Sequence, residues 1–209
     1  MPYRLVIFDF DGTLADSSAW FREVFGDVAK RFGFRNPEPR EIDELRGQSS
    51  REIVRRLGVP AWKLPLIARH VRRLAMENTH RIALFPGIEA TLDMLHARGI
   101  HIGIVSSNAE ETIRRVIGPR LADSIDYFEC GAAMFGKARR LRRVLKRCGI
   151  PASEAIFIGD ETRDVEAARQ AGIAAAVALW GYAAPAAFDG LAPLTLFPTV
   201  EEMTSFFAA

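Results

Sequence analysis

The sequence predicts an α/β fold, a doubly wound parallel sheet with a Rossmann-like core and an inserted helical domain. Three observations carry this: short apolar runs that stop at polar residues, helical periodicity between them, and one connection too long for a single crossover. Leu5 to Phe8 is uninterrupted apolar sequence that ends at Asp9, as a buried parallel strand entering a functional loop should read. Ile102 to Val105 repeats the pattern, closed by Ser106, Ser107 and Asn108, and Ala155 to Ile158 repeats it again, closed by Gly159 and Asp160. Tyr127 to Cys130 and Ala174 to Leu179 are weaker strands of the same kind. Helical spacing fills the gaps: Ile88, Leu92 and Leu95 before Gly99; Ala138, Leu141, Leu145 and Cys148 before Gly149; Val165, Ala168 and Ala171 before Gly172. Strands alternating with helices imply right-handed crossovers in one sheet.

The connection from Phe8 to Ile102 far exceeds the ~30 residues of a whole strand-helix-strand unit. Its interior, 17–84, shows helical spacing at Phe21, Val24, Phe25 and Val28 and at Ile53, Val54 and Leu57, with no convincing strand. Stretches 36–39 and 59–65 punctuate it as helix connections. The expected organisation is therefore a catalytic core of 1–16 and 85–209, with 17–84 as a helical cap over the sheet's carboxyl edge.

Composition narrows the function classes. Of 209 residues, 49% are hydrophobic and 26% charged, and Lys plus Arg exceed Asp plus Glu only by 28 to 26. No large charge argues for nucleic acid or an acidic membrane as partner. The arginine-rich run Arg139, Arg140, Arg142, Arg143, Lys146 and Arg147 alternates with core-facing positions and reads as the wet face of one helix. Cys130 and Cys148 lack metal-ligand spacing and read as reduced structural thiols. The N-terminus lacks signal-peptide organisation and no apolar stretch is long enough to span a bilayer, so cytoplasmic residence, as monomer or homodimer, is expected.

Open α/β sheets bind ligands beyond the carboxyl ends of their strands. Here three such ends deliver Asp9, Asp11, Gly12 and Thr13; then Ser106; then Asp160 and Asp164. Carboxylate and carbonyl oxygens without histidine or cysteine describe a site for Mg2+ rather than zinc. Asp9 and Asp11 could both be metal ligands, or one a nucleophile and the other a proton carrier. Phosphoryl transfer uses the second arrangement: one carboxylate attacks phosphorus, the other protonates the leaving alkoxide and then deprotonates water. Gly12 permits a tight turn beside the phosphate, Ser106 offers a hydroxyl, and Lys137 supplies a balancing cation. Thr13, Ser107 and Asn108 are expected as further substrate contacts.

At these positions the sequence resembles the haloacid dehalogenase superfamily of phosphatases. Asp9-Phe10-Asp11-Gly12-Thr13-Leu14 is similar to its first motif, Ser106 to its second, Lys137 to its third, and Gly159-Asp160-Glu161-Thr162-Arg163-Asp164 to its fourth. The resemblance spans the whole chain in the right order. It implies Asp9 as nucleophile and Mg2+ ligand, Asp11 as acid/base and main-chain carbonyl ligand, Asp160 as second carboxylate ligand, and Asp164 as its outer support. Glu161 is left between metal support, cap contact and solvation. The cap after the first motif and Trp180-Gly181-Tyr182 resemble the phosphoglycolate phosphatase-like branch. A small phosphorylated metabolite, 2-phosphoglycolate first, is the substrate so implied. Arg46, Gly47 and Gln48 in the cap are expected to read it, Arg46 by pairing with a carboxylate. A phosphomutase of the same fold and a catalytically silent phosphate-binding module are the alternatives. A dehalogenase would not need the second aspartate, and a phosphonate hydrolase would need a cap lysine, for which Lys63 is the interior choice.

Overall fold

The computed structural model describes residues 3–131 and 136–209. In chain order it contains β1 (Leu5–Phe8), β2 (Ala15–Asp16), α1 (Ser18–Phe32), α2 (Pro39–Arg46), α3 (Ser50–Arg56), α4 (Leu64–Glu77), β3 (Ala83–Leu84), α5 (Ile88–Ala97) and β4 (His101–Val105). It continues with α6 (Glu110–Asp123), β5 (Tyr127–Glu129), α7 (Lys137–Cys148), β6 (Ala155–Gly159), α8 (Thr162–Ala171), β7 (Ala174–Ala178), β8 (Thr195–Phe197) and α9 (Val200–Ala208). One six-stranded sheet has the order β5-β4-β1-β6-β7-β8, and every pairing in it is parallel. The doubly wound sheet expected from the sequence is the fold observed.

β1 is the switch point. From it the chain winds outward through β4 and β5, then crosses back to β6 and winds outward the other way. Register puts Phe8 opposite both Ile104 and Ile158, so the three central strands end level and their following residues converge. Side chains alternate between two cores, as strand geometry demands. Val6, Phe8, Ile102, Ile104, Ile156 and Ile158 pack with α5, α6 and α9, whereas Leu5, Ile7, Val105 and Phe157 pack with α7 and α8.

Between β1 and β4 lie the helices α1 to α4, in agreement with the helical periodicity of 17–84. The expectation of no strand there is corrected at its end: Ala83–Leu84 pairs antiparallel with Ala15–Asp16, a ribbon too short to show alternation. The helical segment thus leaves and returns at one point. Hydrogen bonds tie it to loops at the sheet's carboxyl edge, among them Arg46 Nε to the Tyr182 carbonyl, 2.8 Å; Ser50 Oγ to Glu161 Oε2, 2.8 Å; and Arg72 Nη1 to the Ser107 carbonyl, 3.1 Å. α7 buries Ala138, Leu141 and Val144 and turns its arginines outward, three of them around Glu129. Both cysteines are free thiols, and among the described residues no helix is long and apolar enough to cross a membrane.

Phe157 is fully buried on the central strand β6, with the Lys137 ammonium 5.7 Å from its ring centre. Phe157→Ala should lower unfolding stability by about 3–5 kcal/mol, measured by urea titration, because a close-packed core collapses poorly around so large a void. A loss below ~1 kcal/mol would contradict this packing, being no more than a single-methylene Ile→Val truncation costs.

Candidate active site

Asp9 follows β1 at the centre of the sheet and is 3% exposed. Its Oδ1 accepts the Phe10 backbone N–H at 2.7 Å, and its Oδ2 pairs with the Lys137 ammonium. Lys137 opens α7, is equally buried, and donates also to Asp164 Oδ1 at 2.6 Å. Asp164 lies in the first turn of α8, where its Oδ2 accepts the Glu161 backbone N–H at 3.0 Å as half of a capping box. Asp160, fully buried after β6, accepts the Thr13 hydroxyl at 2.9 Å and the Tyr182 backbone N–H at 2.8 Å. Three stretches far apart in sequence, at position 9, at 137 and at 160–164, thus bring three carboxylates and one ammonium together.

The electrostatics follow from that crowding. Burial pushes the Asp9 carboxyl up to about 7, against the lowering pull of Lys137. Burial also raises Asp160 well above the usual carboxylate range, with Glu161 and Asp9 adding to it. Burial alone would lower the Lys137 ammonium, but Asp164 and Asp9 outweigh it and hold the charge. Three buried carboxylates thus share the Lys137 ammonium, with the Arg163 guanidinium also acting on Asp9 and Asp164. Ligand oxygens of Asp9, Asp160 and Asp164 lie within 4.8 Å of one another, an all-oxygen set that suits a hard divalent cation.

Asp11 stands apart from this cluster. Its Oδ1 accepts the Ser17 hydroxyl at 2.8 Å and its Oδ2 the Asn108 amide at 3.2 Å. Burial raises its carboxyl, while Ser17 and Asn108 work in the other direction. The two aspartates, whose roles their spacing left open, sit in different environments. Asp9 faces cations and Asp11 faces neutral donors.

The surroundings of the other expected site residues are as follows. Thr13, expected at the substrate, is fully buried and directs its hydroxyl to Asp160. Asn108 likewise turns its amide to Asp11. Gly12 has φ +77°, and a Cβ there would sit 2.2 Å from Asp160 Oδ2, so the glycine is required for the approach of a carboxylate as well as for the turn. Arg46, expected to pair with a substrate carboxylate, donates Nε to Tyr182 and Nη2 to Gly181, whose carbonyls are fixed acceptors in its reach. Gly47 is exposed beside it, and Gln48 keeps its side-chain oxygen buried without a hydrogen-bond partner. Glu161 proves to be a contact of the helical segment: it accepts from Ser50 and is gripped by the Arg163 guanidinium through Nε at 2.7 Å and Nη2 at 2.8 Å. Ser106 is fully buried and accepts the Asn108 backbone N–H at 3.0 Å, while Ser107 contributes the carbonyl held by Arg72.

Comparison with known proteins bears on the family. The family model for haloacid dehalogenase-like hydrolases matches residues 6–178. The chain belongs to the haloacid dehalogenase-like hydrolase family. It is 35% identical to the phosphoglycolate phosphatase of Synechococcus elongatus, over 86% of this chain and 85% of that one. It is 30% identical to a phosphoglycolate phosphatase of Xylella fastidiosa, over 86% and 81% of the two chains. Among solved structures, a haloacid dehalogenase-like family hydrolase of Streptococcus pneumoniae superposes with a TM-score of 0.78 at 21% identity, covering 99% of both chains, which bears on the fold alone. The expected family, and with it the expectation of a phosphatase, are supported by these relatives.

Lys137→Ala should destabilise the metal-free protein by about 3–5 kcal/mol in urea unfolding at neutral pH, since it leaves Asp9 and Asp164 buried without their common partner. An unchanged midpoint would mean that the ammonium does not hold these carboxylates together.

Proposed function

We propose that the protein is a cytoplasmic, Mg2+-dependent phosphatase that hydrolyses a small phosphomonoester, 2-phosphoglycolate first, through an aspartyl-phosphate on Asp9. The observation that carries this reading is the buried group of Asp9, Asp160, Asp164 and Lys137 at the sheet's switch point. Asp9, Asp160 and Asp164, with the Asp11 main-chain carbonyl, would hold the ion. When bound, Mg2+ supplies positive charge against the phosphoryl oxygens and the ligating carboxylates.

The protein's own residues divide the remaining work. An Asp9 oxygen attacks phosphorus and the bond from phosphorus to the substrate oxygen breaks, giving an acyl phosphate. Asp11, whose carboxyl burial raises from the ordinary range, delivers a proton to the departing alkoxide. The Asp11 carboxylate then takes a proton from water, which attacks phosphorus and returns Asp9 as a carboxylate. Ser106 already accepts one backbone N–H, so its own proton is free in direction to meet a phosphoryl oxygen. Lys137 offsets charge on the attacked group. Segment 17–84 acts as the cap over the leaving group, and its loop 46–48 beside Tyr182 takes part in substrate choice. The names of the relatives support 2-phosphoglycolate as the first compound to try.

Phosphate release from a panel of phosphorylated acids and sugars should require Mg2+ and vanish with EDTA. Asp9→Asn should lower turnover at least about a hundredfold while the thermal unfolding transition persists, since the amide is a poor nucleophile. Full activity in metal-free buffer, or near-normal turnover by Asp9→Asn, would refute the reading.

A further inference from the structure

We propose that Tyr182 positions the acid/base Asp11, and that Arg46 couples this positioning to cap closure by gripping the same residue. This rests on the reading of Asp11 as acid/base. While Asp11 is a carboxylate it can only accept, so the Ser17 hydroxyl donates to its Oδ1 at 2.8 Å and the 2.9 Å contact between Ser17 and Tyr182 runs with the Tyr182 hydroxyl as donor. The result is a directed chain, Tyr182 to Ser17 to Asp11, within which Ser17 is 1% exposed. A fixed chain of this kind limits the orientations of the carboxylate that it ends on.

Tyr182 meets the rest of the site through its backbone. Its N–H donates to Asp160 Oδ2 at 2.8 Å. Gly181 before it lies so close that a Cβ would come 2.2 Å from Asp160 Cβ and 2.5 Å from the Gly12 carbonyl. The segment after β7 is therefore wedged against both carboxylate-bearing loops. On its outer side the carbonyls of Gly181 and Tyr182 receive Arg46 Nη2 at 3.4 Å and Nε at 2.8 Å, and the Ala184 N–H returns a bond to the Arg46 carbonyl at 2.8 Å. Arg46 belongs to the helical segment and Tyr182 to the sheet, so these bonds exist only while the two are together. Phe21 of α1 adds an edge-on contact to the Tyr182 ring at 6.5 Å. One residue thus joins the cap, a metal-site carboxylate and the proton carrier.

Tyr182→Phe tests the chain, because it removes one hydroxyl and leaves the backbone contacts in place. Two substrates separate the steps: p-nitrophenyl phosphate, whose leaving group needs no proton, and 2-phosphoglycolate, whose alkoxide does. With the first, Tyr182→Phe should give a rapid burst of nitrophenolate followed by slow turnover, with phosphoryl trapped on Asp9 and visible by mass spectrometry after quenching. With the second, kcat should fall about ten- to a hundredfold at unchanged KM, the usual cost of losing a partner that orients a working group. Arg46→Ala should behave alike, and the double variant should be no slower than the slower single one, because both act through one chain. Asp11→Asn serves as reference. If Asp11→Asn traps no phosphoryl, the acid/base reading fails and the proposal with it. If Asp11→Asn traps it but Tyr182→Phe has wild-type kinetics, or slows both substrates equally without trapping, the proposal alone is overturned. Losses that multiply in the double variant would overturn the coupling to the cap.

Discussion

The fold is organised around a charge problem: three carboxylates, Asp9, Asp160 and Asp164, are buried beside a single ammonium. Isolated buried charges are too costly to persist, so such a group must take up protons, cations or donors. Each neighbour answers part of that demand. Lys137 bridges two of the carboxylates, Thr13 and Tyr182 donate to the third, and backbone N–H groups of Phe10 and Glu161 complete the set. What remains is expressed as the rise of Asp9 from 3.8 to about 7. Because the folded state holds that proton more tightly than the unfolded chain, this group's contribution in the metal-free protein is present at low pH and declines as pH rises from 3.8 through about 7.

The rest of the architecture brings the group together. Level registration of β1, β4 and β6 sets the loops beside one another, and the crossing at β1 opens the crevice into which they point. α7 and α8 then deliver Lys137 and Asp164 from behind, supported by Phe157. Glycine at 12 and 181 allows two loops to close on Asp160 to distances that no side chain would permit. The helical segment enters and leaves through the β2–β3 ribbon, so it can cover the crevice without interrupting the sheet.

Much of this was legible in the sequence because parallel strands and amphipathic helices leave periodic signals. Leu5–Phe8 was readable to the residue, and β4, β6 and α7 nearly so. α6 escaped because Gly118, at φ 77°, and Pro119 break its run and read as a turn. β8 and α9 escaped because a three-residue edge strand carries no period and its helix follows at once. At the site, the residues named by motif were found together, whereas their partners were not foreseen. Ser17 looked like the start of the helical segment, and Tyr182 stood more than a hundred and sixty positions away from the carboxylate chain that it serves, so no local spacing could join them. The same holds for Thr13 and Arg46, whose polar atoms meet a carboxylate and two backbone carbonyls brought near only by folding.

The central claim is that these buried carboxylates are held ready for a divalent cation, with Asp9, raised to about 7, partly protonated at neutral pH and giving up that proton to the cation. Calorimetric titration of Mg2+ into the metal-free protein at neutral pH, in two buffers of different ionisation enthalpy, measures both the site and the proton. The account predicts saturable binding at one site per chain, with a heat that differs between the buffers because a proton is released, and loss of that binding in Asp160→Asn. No saturable binding, or equal heats in the two buffers, would contradict it.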